Sequence, residues 1–236
     1  MKQPIEPEKL RALTLEREGT MVNFFLEQQA RVQLDMPDSH AVGIDEVGLG
    51  SWAGPMVVAG VSLSEREPWP DWYDDIDDSK KCSPQKRNRL RRLICDNAKF
   101  TWLELRWPAE IDRLGLGACH RDAIYTVYRE ACLEGYTLAI VDGRTLSNKP
   151  LGLTFTSKAD RASLNVAAAS IVAKVARDIF MVQIDALYPG YKFCDNKGYG
   201  TVKHQAALAK LGIIPFHRRS FKPIRDIIMA GALHES

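Results

Sequence analysis

Residues 41–55 read AVGIDEVGLGSWAGP, an apolar segment that carries two adjacent carboxylates and then enters a glycine-rich turn. Ala41–Val47 predicts a short, largely buried strand. Neighbouring residues of a strand point to opposite faces, so either Asp45 or Glu46 has to face the core side of the sheet. An unpaired carboxylate is costly to bury there. The pair is therefore either a satisfied surface or salt-bridged pair, or part of a functional site.

Strands and helices alternate along the rest of the chain. We predict strands at Pro55–Leu63, Phe100–Trp107, Thr137–Asp142 and Leu151–Thr156, and helices at Ser83–Lys99, Gly117–Tyr136, Ala162–Leu187 and from Thr201. Ser83-Pro84 is a helix-start signal. The alanine-rich stretch 162–187 predicts a helix packed closely against a sheet. Interleaved strands and helices indicate an α/β fold with a mixed sheet.

The length of 236 residues fits one large α/β domain with a small appendage. Residues 7–33 predict a polar helix, interrupted at Gly19. We therefore divide the chain into an N-terminal helical appendage (1–40), a main domain (41–225) and a C-terminal tail (226–236).

Composition and spacing argue against a secreted, a membrane-spanning and a zinc-binding protein. The apolar fraction of 45% and charged fraction of 26% are ordinary for a soluble globular chain. Five cysteines without a C-x-x-C pair or a secretory leader predict reduced thiols in the cytoplasm. The chain has no membrane-spanning apolar run and no histidines at zinc spacing. A monomer is expected, because no exposed apolar stripe stands out.

A net charge of +2 does not by itself indicate nucleic acid, so a basic surface has to come from local clusters. Two such clusters are Lys80, Lys81, Lys86, Arg87, Arg89, Arg91 and Arg92, and Lys197, Lys203, Arg218, Arg219, Lys222 and Arg225. About half of these residues are expected to form solvated helix faces, and the rest to follow phosphates.

Two further carboxylates stand near strand and helix ends. Asp142 ends the apolar strand TLAIVD, and Asp160 precedes the alanine-rich helix, where a helix cap is the alternative. Carboxylates that converge from strand ends raise one another's pKa unless cations keep them ionised. Oxygen-only ligands suit Mg²⁺ or Mn²⁺, and two such ions about 4 Å apart form a clamp for phosphodiester hydrolysis.

Seven sequence blocks, in order, resemble the motifs of type 2 ribonucleases H. They are GIDEVGLGSWAGP (43–55), DDSKKCS (77–83), IVDG (140–143), SKADRASLNVAAASIVAKVARD (157–178), YPGY (188–191), KGYGT (197–201) and HRRSF (217–221). The resemblance covers residues 42–223. It implies a ribonuclease H-like fold, in which helices flank a mixed five-stranded central sheet and a C-terminal helical region follows.

The same resemblance implies a function. The family's four metal-binding, catalytic carboxylates correspond to Asp45, Glu46, Asp142 and Asp160. The implied enzyme is an endonuclease that hydrolyses the RNA strand of RNA–DNA hybrids and cuts 5′ to ribonucleotides embedded in DNA duplexes. It leaves a 3′-hydroxyl and a 5′-phosphate and uses Mg²⁺ or Mn²⁺, with two ions per site.

Substrate contacts are implied in the same way. Tyr199 corresponds to the tyrosine that stacks on the deoxyribose next to the ribonucleotide. Gly48 and Gly50 flank a turn whose backbone approaches the 2′-hydroxyl, the group that separates RNA from DNA. Lys80 and Lys158 are expected to lie beside the substrate.

Two residues depart from the family pattern. Leu49 stands where the family has arginine, which removes a charged donor near the phosphate and ribose. Ala159 stands where the family has glycine, and alanine is tolerated there only if φ is negative. Two alternative functions remain: a duplex- or junction-binding protein without efficient catalysis, motivated by Leu49, and a nuclease of the same fold that acts on DNA junctions.

Overall fold

The computed structural model describes residues 22–77 and 83–232. The strands are β1 (Ala41–Val47), β2 (Met56–Ser62), β3 (Phe100–Arg106), β4 (Leu138–Asp142) and β5 (Leu153–Thr156). The α-helices are α1 (Phe25–Gln33), α2 (Asp74–Asp77), α3 (Pro84–Asn97), α4 (Pro108–Leu114), α5 (Leu116–Leu133), α6 (Leu164–Leu187), α7 (Phe193–Asn196), α8 (Val202–Leu211) and α9 (Lys222–Ala232). Short 3₁₀ turns lie at Asp71–Tyr73 and Ala159–Arg161. No helix in these ranges is long and apolar enough to cross a membrane.

The strands form one mixed sheet in the order β3-β2-β1-β4-β5, which confirms the predicted α/β fold. β1 is the central strand. It pairs antiparallel with β2, where Ile44 faces Gly60, and parallel with β4, where Ile44 faces Val141. Because β1 and β4 run in the same direction, their carboxyl ends lie at the same edge of the sheet.

Each face of the sheet is covered by one long helix. Val57, Ala59 and Val61 pack with α6 on one face, and alternate residues of the same strands pack with α5 on the other. The α6 layer is unusually close. A Cβ on Gly43 would lie 2.2 Å from the backbone of Asn165 and Val166. The alanine-rich sequence of α6 permits this approach, as predicted.

A third apolar cluster joins α7, α8 and α9 to the end of α6, and it forms the predicted C-terminal helical region. Ile224 is fully buried there, and Ile227 and Ile228 pack against the same cluster. Helix α9 therefore continues across position 225, where the sequence predicted the start of a tail.

Helix α4 is, with α2 and α7, one of the short helices that sequence periodicity missed. It is seven residues long and has only Pro108 and Ile111 buried, so it carries too few apolar positions to show a helical period. Glu110 supports its start by accepting a hydrogen bond from the backbone N–H of Trp107 at 3.0 Å. Gly115, with φ of 85°, separates it from α5.

Helix α1 lies within the predicted helix 7–33, whose first part, including Gly19, is outside the described residues. The segment docks on the start of α6. The Leu164 N–H donates to the Asn23 carbonyl at 2.8 Å, and the Ser163 hydroxyl donates to Glu27 at 2.5 Å. Glu27 is fully buried, and this burial raises the pKa of its carboxyl from 4.5 to about 7.

The buried Glu27 predicts a pH-dependent stability. A carboxyl whose folded-state pKa is raised stabilises the fold in its neutral form, and this contribution is lost as the pH rises from 4.5 towards 7. The unfolding free energy of the wild type should therefore fall relative to Glu27→Gln by roughly 1–3 kcal/mol between about pH 5 and pH 8. Urea unfolding at both pH values measures the difference.

The matched control is Glu134→Gln, which removes an exposed carboxyl. Its stability difference from the wild type should be the same at both pH values. An equally constant difference for Glu27→Gln would contradict the buried, neutral state of Glu27.

Candidate active site

The carboxyl ends of β1 and β4 bring acidic side chains together. Ile44 and Val141 are paired across the two strands, and Asp45 and Asp142 are the next residues on each. Because the strands are parallel, both side chains continue on the same face, the one covered by α6. Asp45 and Asp142 therefore meet at one edge of the sheet.

Asp45 is almost completely buried, with 7% of its surface exposed. Its Oδ1 accepts a hydrogen bond from the Glu46 N–H at 2.8 Å, and the Ser170 hydroxyl of α6 also donates to it. Burial, followed by the charges of Glu46 and Asp142, raises the pKa of Asp45 to about 7. The two hydrogen bonds oppose this rise without cancelling it.

Glu46 points to the opposite face of the sheet, towards α5. Its Oε2 lies 3.3 Å from Nε2 of His120, without the geometry of a hydrogen bond. Only 17% of the Glu46 side chain is exposed. His120 was not identified from the sequence, because a lone histidine on a helix has no spacing signal that connects it to a strand.

Asp160 reaches the site through a turn that is fixed to Asp142. The N–H of Ala159 donates to Asp142 Oδ1 at 2.9 Å. Asp160 itself is only 9% exposed. Burial first, then the charges of Asp160 and Glu46, raise the pKa of Asp142.

Asp160 is not the cap of the long helix, which was the alternative. Ser163 takes that position, and its hydroxyl accepts the Val166 N–H at 3.1 Å. Lys158 carries the positive φ, at 61°, whereas Ala159 is not among the residues with positive φ. An alanine at 159 is therefore accommodated without backbone strain.

The donors available to a metal at this edge are carboxylate oxygens, the type that Mg²⁺ and Mn²⁺ prefer. The four carboxylates influence one another electrostatically. Within residues 22–77 and 83–232, however, no three His, Cys, Asp or Glu side chains stand close enough together to hold a metal ion. The oxygen donors therefore fit a hard divalent cation in chemical type, while their spacing in the described residues does not form a three-ligand group.

The glycine-rich loop after β1, residues 48–55, is built around two buried arginines. Arg177 of α6 and Arg218 are both 0% exposed. Arg177 donates to Ser51 Oγ and to the carbonyls of Ala53, Pro55 and Lys197, at 2.8–3.0 Å. Arg218 donates to the carbonyls of Leu49 and Gly54, at 3.0–3.2 Å. The prediction that Arg218 could follow phosphates is wrong, because its guanidinium is enclosed by this loop.

Gly48 and Gly50 have different reasons to be glycine. Gly48 has φ of 89°, and a Cβ there would lie 2.3 Å from Nε of Arg177. A Cβ on Gly50 would meet nothing within 4 Å, so Gly50 borders open space. The Leu49 side chain between them is half-buried and packs towards the α5 layer.

The turn that carries Tyr199 rests directly on this loop. The N–H groups of Trp52 and Ala53 donate to the Gly198 carbonyl at 2.8 and 3.2 Å. A Cβ on Gly200 would lie 2.1 Å from the Trp52 ring, so only glycine allows the contact. The Tyr199 side chain is 37% exposed, and its ring centre lies 5.4 Å from the Arg177 guanidinium. Tyr199 is therefore a surface residue beside the loop, not a core tyrosine.

The predicted lysines divide into two cases. Lys158 is exposed and directly precedes the turn of Asp160. Lys80 lies outside the described residues. Several other basic residues of the two clusters form ion pairs, among them Lys86 with Asp75 and Lys203 with Asp195.

Residues 42–224 match the family model described as Ribonuclease HII. The chain belongs to the ribonuclease HII family. Members of this family are endoribonucleases that hydrolyse RNA in RNA–DNA hybrids. The match begins one residue into β1 and ends in α9, so α1 lies outside it.

Curated ribonucleases HII from several bacteria are similar over most of the chain. The relative from Thermus thermophilus is 43% identical over 182 residues, which cover 77% of this chain and 86% of the relative. The one from Geobacter sulfurreducens is 40% identical over 187 residues, or 78% and 82%. The one from Dichelobacter nodosus is 39% identical over 191 residues, or 79% and 96%.

Solved structures share the fold. The ribonuclease HII from Archaeoglobus fulgidus, solved as a complex with PCNA, is 26% identical with a TM-score of 0.64 and covers 79% of this chain and 96% of its own. Ribonuclease H2 from Pyrococcus horikoshii is 22% identical with a TM-score of 0.62, over 80% and 97%.

The buried charge of Asp45 predicts a gain in stability when that charge is removed. Asp45→Asn keeps the size of the side chain and relieves both burial and repulsion. In buffer with a chelator, at about pH 8, the variant should be more stable than the wild type by roughly 1–3 kcal/mol. Urea unfolding measures this, with Asp38→Asn in the exposed turn before β1 as the control.

The same variant should also gain less stability from added Mn²⁺ than the wild type does, since a ligand is lost. An Asp45→Asn protein that is less stable than the wild type without metal would contradict the assigned repulsion.

Proposed function

We propose that this member of the ribonuclease HII family cuts on the 5′ side of ribonucleotides, both in RNA–DNA hybrids and at single ribonucleotides in DNA duplexes. The products are a 3′-hydroxyl and a 5′-phosphate. One observation carries the proposal: carboxylates from two adjacent parallel strands converge at one sheet edge, beside a glycine loop and an exposed tyrosine. The arrangement supports a site in which carboxylate oxygens act beside groups suited to reading a sugar.

We propose Asp45, Glu46, Asp142 and Asp160 as catalytic ligands of Mg²⁺ or Mn²⁺, with two ions during catalysis. The buried position of Asp45 and the mutual repulsion of the set support this, because a cation offsets both costs. A ribonuclease HIII of the same fold, 18% identical, was solved in complex with Mn²⁺. When bound, such ions activate water and stabilise the leaving oxygen of the phosphodiester.

The chain's own groups then orient the substrate. The backbone of Gly48, Leu49 and Gly50 approaches the 2′-hydroxyl, and the open space at Gly50 admits the sugar. The exposed ring of Tyr199 stacks on the neighbouring deoxyribose. Lys158, which precedes the turn of Asp160, neutralises a phosphate of the substrate, and the same role is proposed for Lys80 from the family motif.

The remaining features of the proposal concern the whole chain. We propose a monomer that is located in the cytoplasm. The free thiols of the four described cysteines support the cytoplasmic location, because thiols stay reduced there. The catalytic domain begins at residue 41, after the appendage 1–40. It includes α9, because Ile224, Ile227 and Ile228 pack on its C-terminal cluster.

A labelled DNA duplex that carries one ribonucleotide or a run of four tests the function. Wild-type protein with Mg²⁺ or Mn²⁺ should cut 5′ to a ribonucleotide in both. Binding without cutting would favour the duplex-binding alternative that Leu49 suggests. Cutting of an all-DNA junction would favour the junction nuclease.

Asp142→Asn should reduce the cutting rate by at least about a thousandfold, because it removes a charged ligand, while duplex binding remains within about threefold. Product analysis on denaturing gels and fluorescence anisotropy measure the two effects. Asp38→Asn, an exposed aspartate at the other end of β1, should leave both unchanged. Near-normal cutting by Asp142→Asn would remove Asp142 from the site.

Leu49→Arg should increase cutting at the single ribonucleotide by about tenfold and affect the run of four less, because it restores a cationic donor beside the ribose and phosphate. Leu49→Met is the matched control, since it changes the shape but adds no charge. Equal rates for the two variants would mean that residue 49 makes no substrate contact.

A further inference from the structure

Two histidines form a buried pair behind Tyr199. His204 of α8 and His217 are 0% and 1% exposed, and their Nε2 atoms lie 3.0 Å apart. The rings of Trp52, Tyr191 and Phe193 surround them, with centroids 5.3–5.9 Å away. Neither histidine belongs to the carboxylate site.

The hydrogen bonds of this pair have a fixed direction. The Ile214 N–H donates to Nδ1 of His217 at 3.0 Å, so that nitrogen accepts and carries no proton. The proton of a neutral His217 is therefore on Nε2, and it is donated to Nε2 of His204. The proton of His204 is then on Nδ1, which lies 3.0 Å from the Tyr199 carbonyl oxygen.

Both rings stay neutral because burial lowers their pKa values. The pKa of His217 falls to about 4, through burial first and the neighbouring His204 second. Burial also lowers the pKa of His204, against a weaker opposing effect of the Tyr199 carbonyl. The two histidines therefore hold opposite tautomers, and the chain of donors runs from the backbone of Ile214 to that of Tyr199.

The end of this chain lies where substrate recognition is proposed. The Tyr199 carbonyl also accepts the Thr201 N–H at 2.8 Å, and the preceding carbonyl, of Gly198, is held by Trp52 and Ala53. The peptide planes on both sides of the Tyr199 Cα are thus fixed. This fixed backbone sets the direction of the Cα–Cβ bond from which the exposed Tyr199 ring extends, and so the rotamers that it can adopt.

We propose that His204 is a positioning residue that orients Tyr199 towards the junction between ribonucleotide and deoxyribonucleotide, with His217 fixing its tautomer. The role rests on the function proposed above. His204 acts through Tyr199 and touches neither the substrate nor the carboxylates.

Two substitutions of His204 separate this role from simple packing. The amide nitrogen of asparagine can occupy the place of Nδ1, so His204→Asn keeps a donor to Tyr199 and loses the bond to His217. The amide of glutamine reaches the place of Nε2, so His204→Gln keeps the bond to His217 and loses the donor to Tyr199. Both variants disturb the same buried site to a similar extent.

The readout is the ratio of cutting rates on the single ribonucleotide and on a long RNA–DNA hybrid. We expect His204→Gln to lower this ratio about tenfold, as Tyr199→Ala should, and His204→Asn to keep it within about threefold of the wild type. Gln205→Ala is the control, since it removes an exposed bond of 2.9 Å from the same helix to the Gly200 carbonyl. Its ratio should not change.

Two results would overturn the positioning role while the proposed function stands: an equally lowered ratio for the asparagine and glutamine variants, or an unchanged ratio for both. A wild-type protein that does not cut the single ribonucleotide would overturn both together.

Nitrogen-detected NMR of the histidine rings tests the tautomers in the wild-type protein, whether or not the variants fold. We expect a proton on Nε2 of His217 and on Nδ1 of His204 at neutral pH. A protonated, charged ring or the same tautomer on both residues would overturn the proposed chain.

Discussion

The parallel pairing of β1 with β4 is the constraint on which the site depends. It sets Asp45 and Asp142 side by side at the end of the sheet, and Asp45 keeps only 7% of its surface in contact with solvent. Such an arrangement opposes folding, because burial and like charge both act on the same carboxyl. The rest of the fold has to supply the stability that this edge removes.

The close packing of α6 against the sheet supplies part of this stability. Gly43 and the alanines of α6 bring helix and sheet into backbone contact, and Ser163 caps the helix at the end nearest the carboxylates. The turn that carries Asp160 is thereby held between a capped helix and the Asp142 side chain, to which Ala159 donates. Asp45 and Glu46 lie on β1, Asp142 lies on β4, and Asp160 lies on this turn. The positions of the carboxylates therefore depend little on mobile loops.

Much of this could be predicted from the sequence, and the failures have physical causes. Apolar runs located the strands, and acidic residues at their ends indicated the site. Side-chain contacts across the fold carry no local signal. The basic neighbours of Arg218 in the sequence predict a surface cation. In the fold, its guanidinium donates hydrogen bonds to a loop carbonyl more than 160 positions earlier in the chain. His120 and Ser170 belong to helices whose relation to β1 exists only after folding. Helix α4 is too short for its period to appear.

The two buried arginines explain how a departure at residue 49 can be tolerated. All the hydrogen bonds described for Arg177 and Arg218 go to neutral oxygens, and burial lowers the pKa of Arg218 to about 9. Both guanidinium groups therefore donate hydrogen bonds to backbone carbonyls of the loop, including that of Leu49 itself. This bracing acts on the backbone and is independent of the side chain at 49. Because the arginines hold the loop at the Leu49 carbonyl and beyond it, exchanging arginine for leucine there changes mainly the side chain that the loop offers to a substrate.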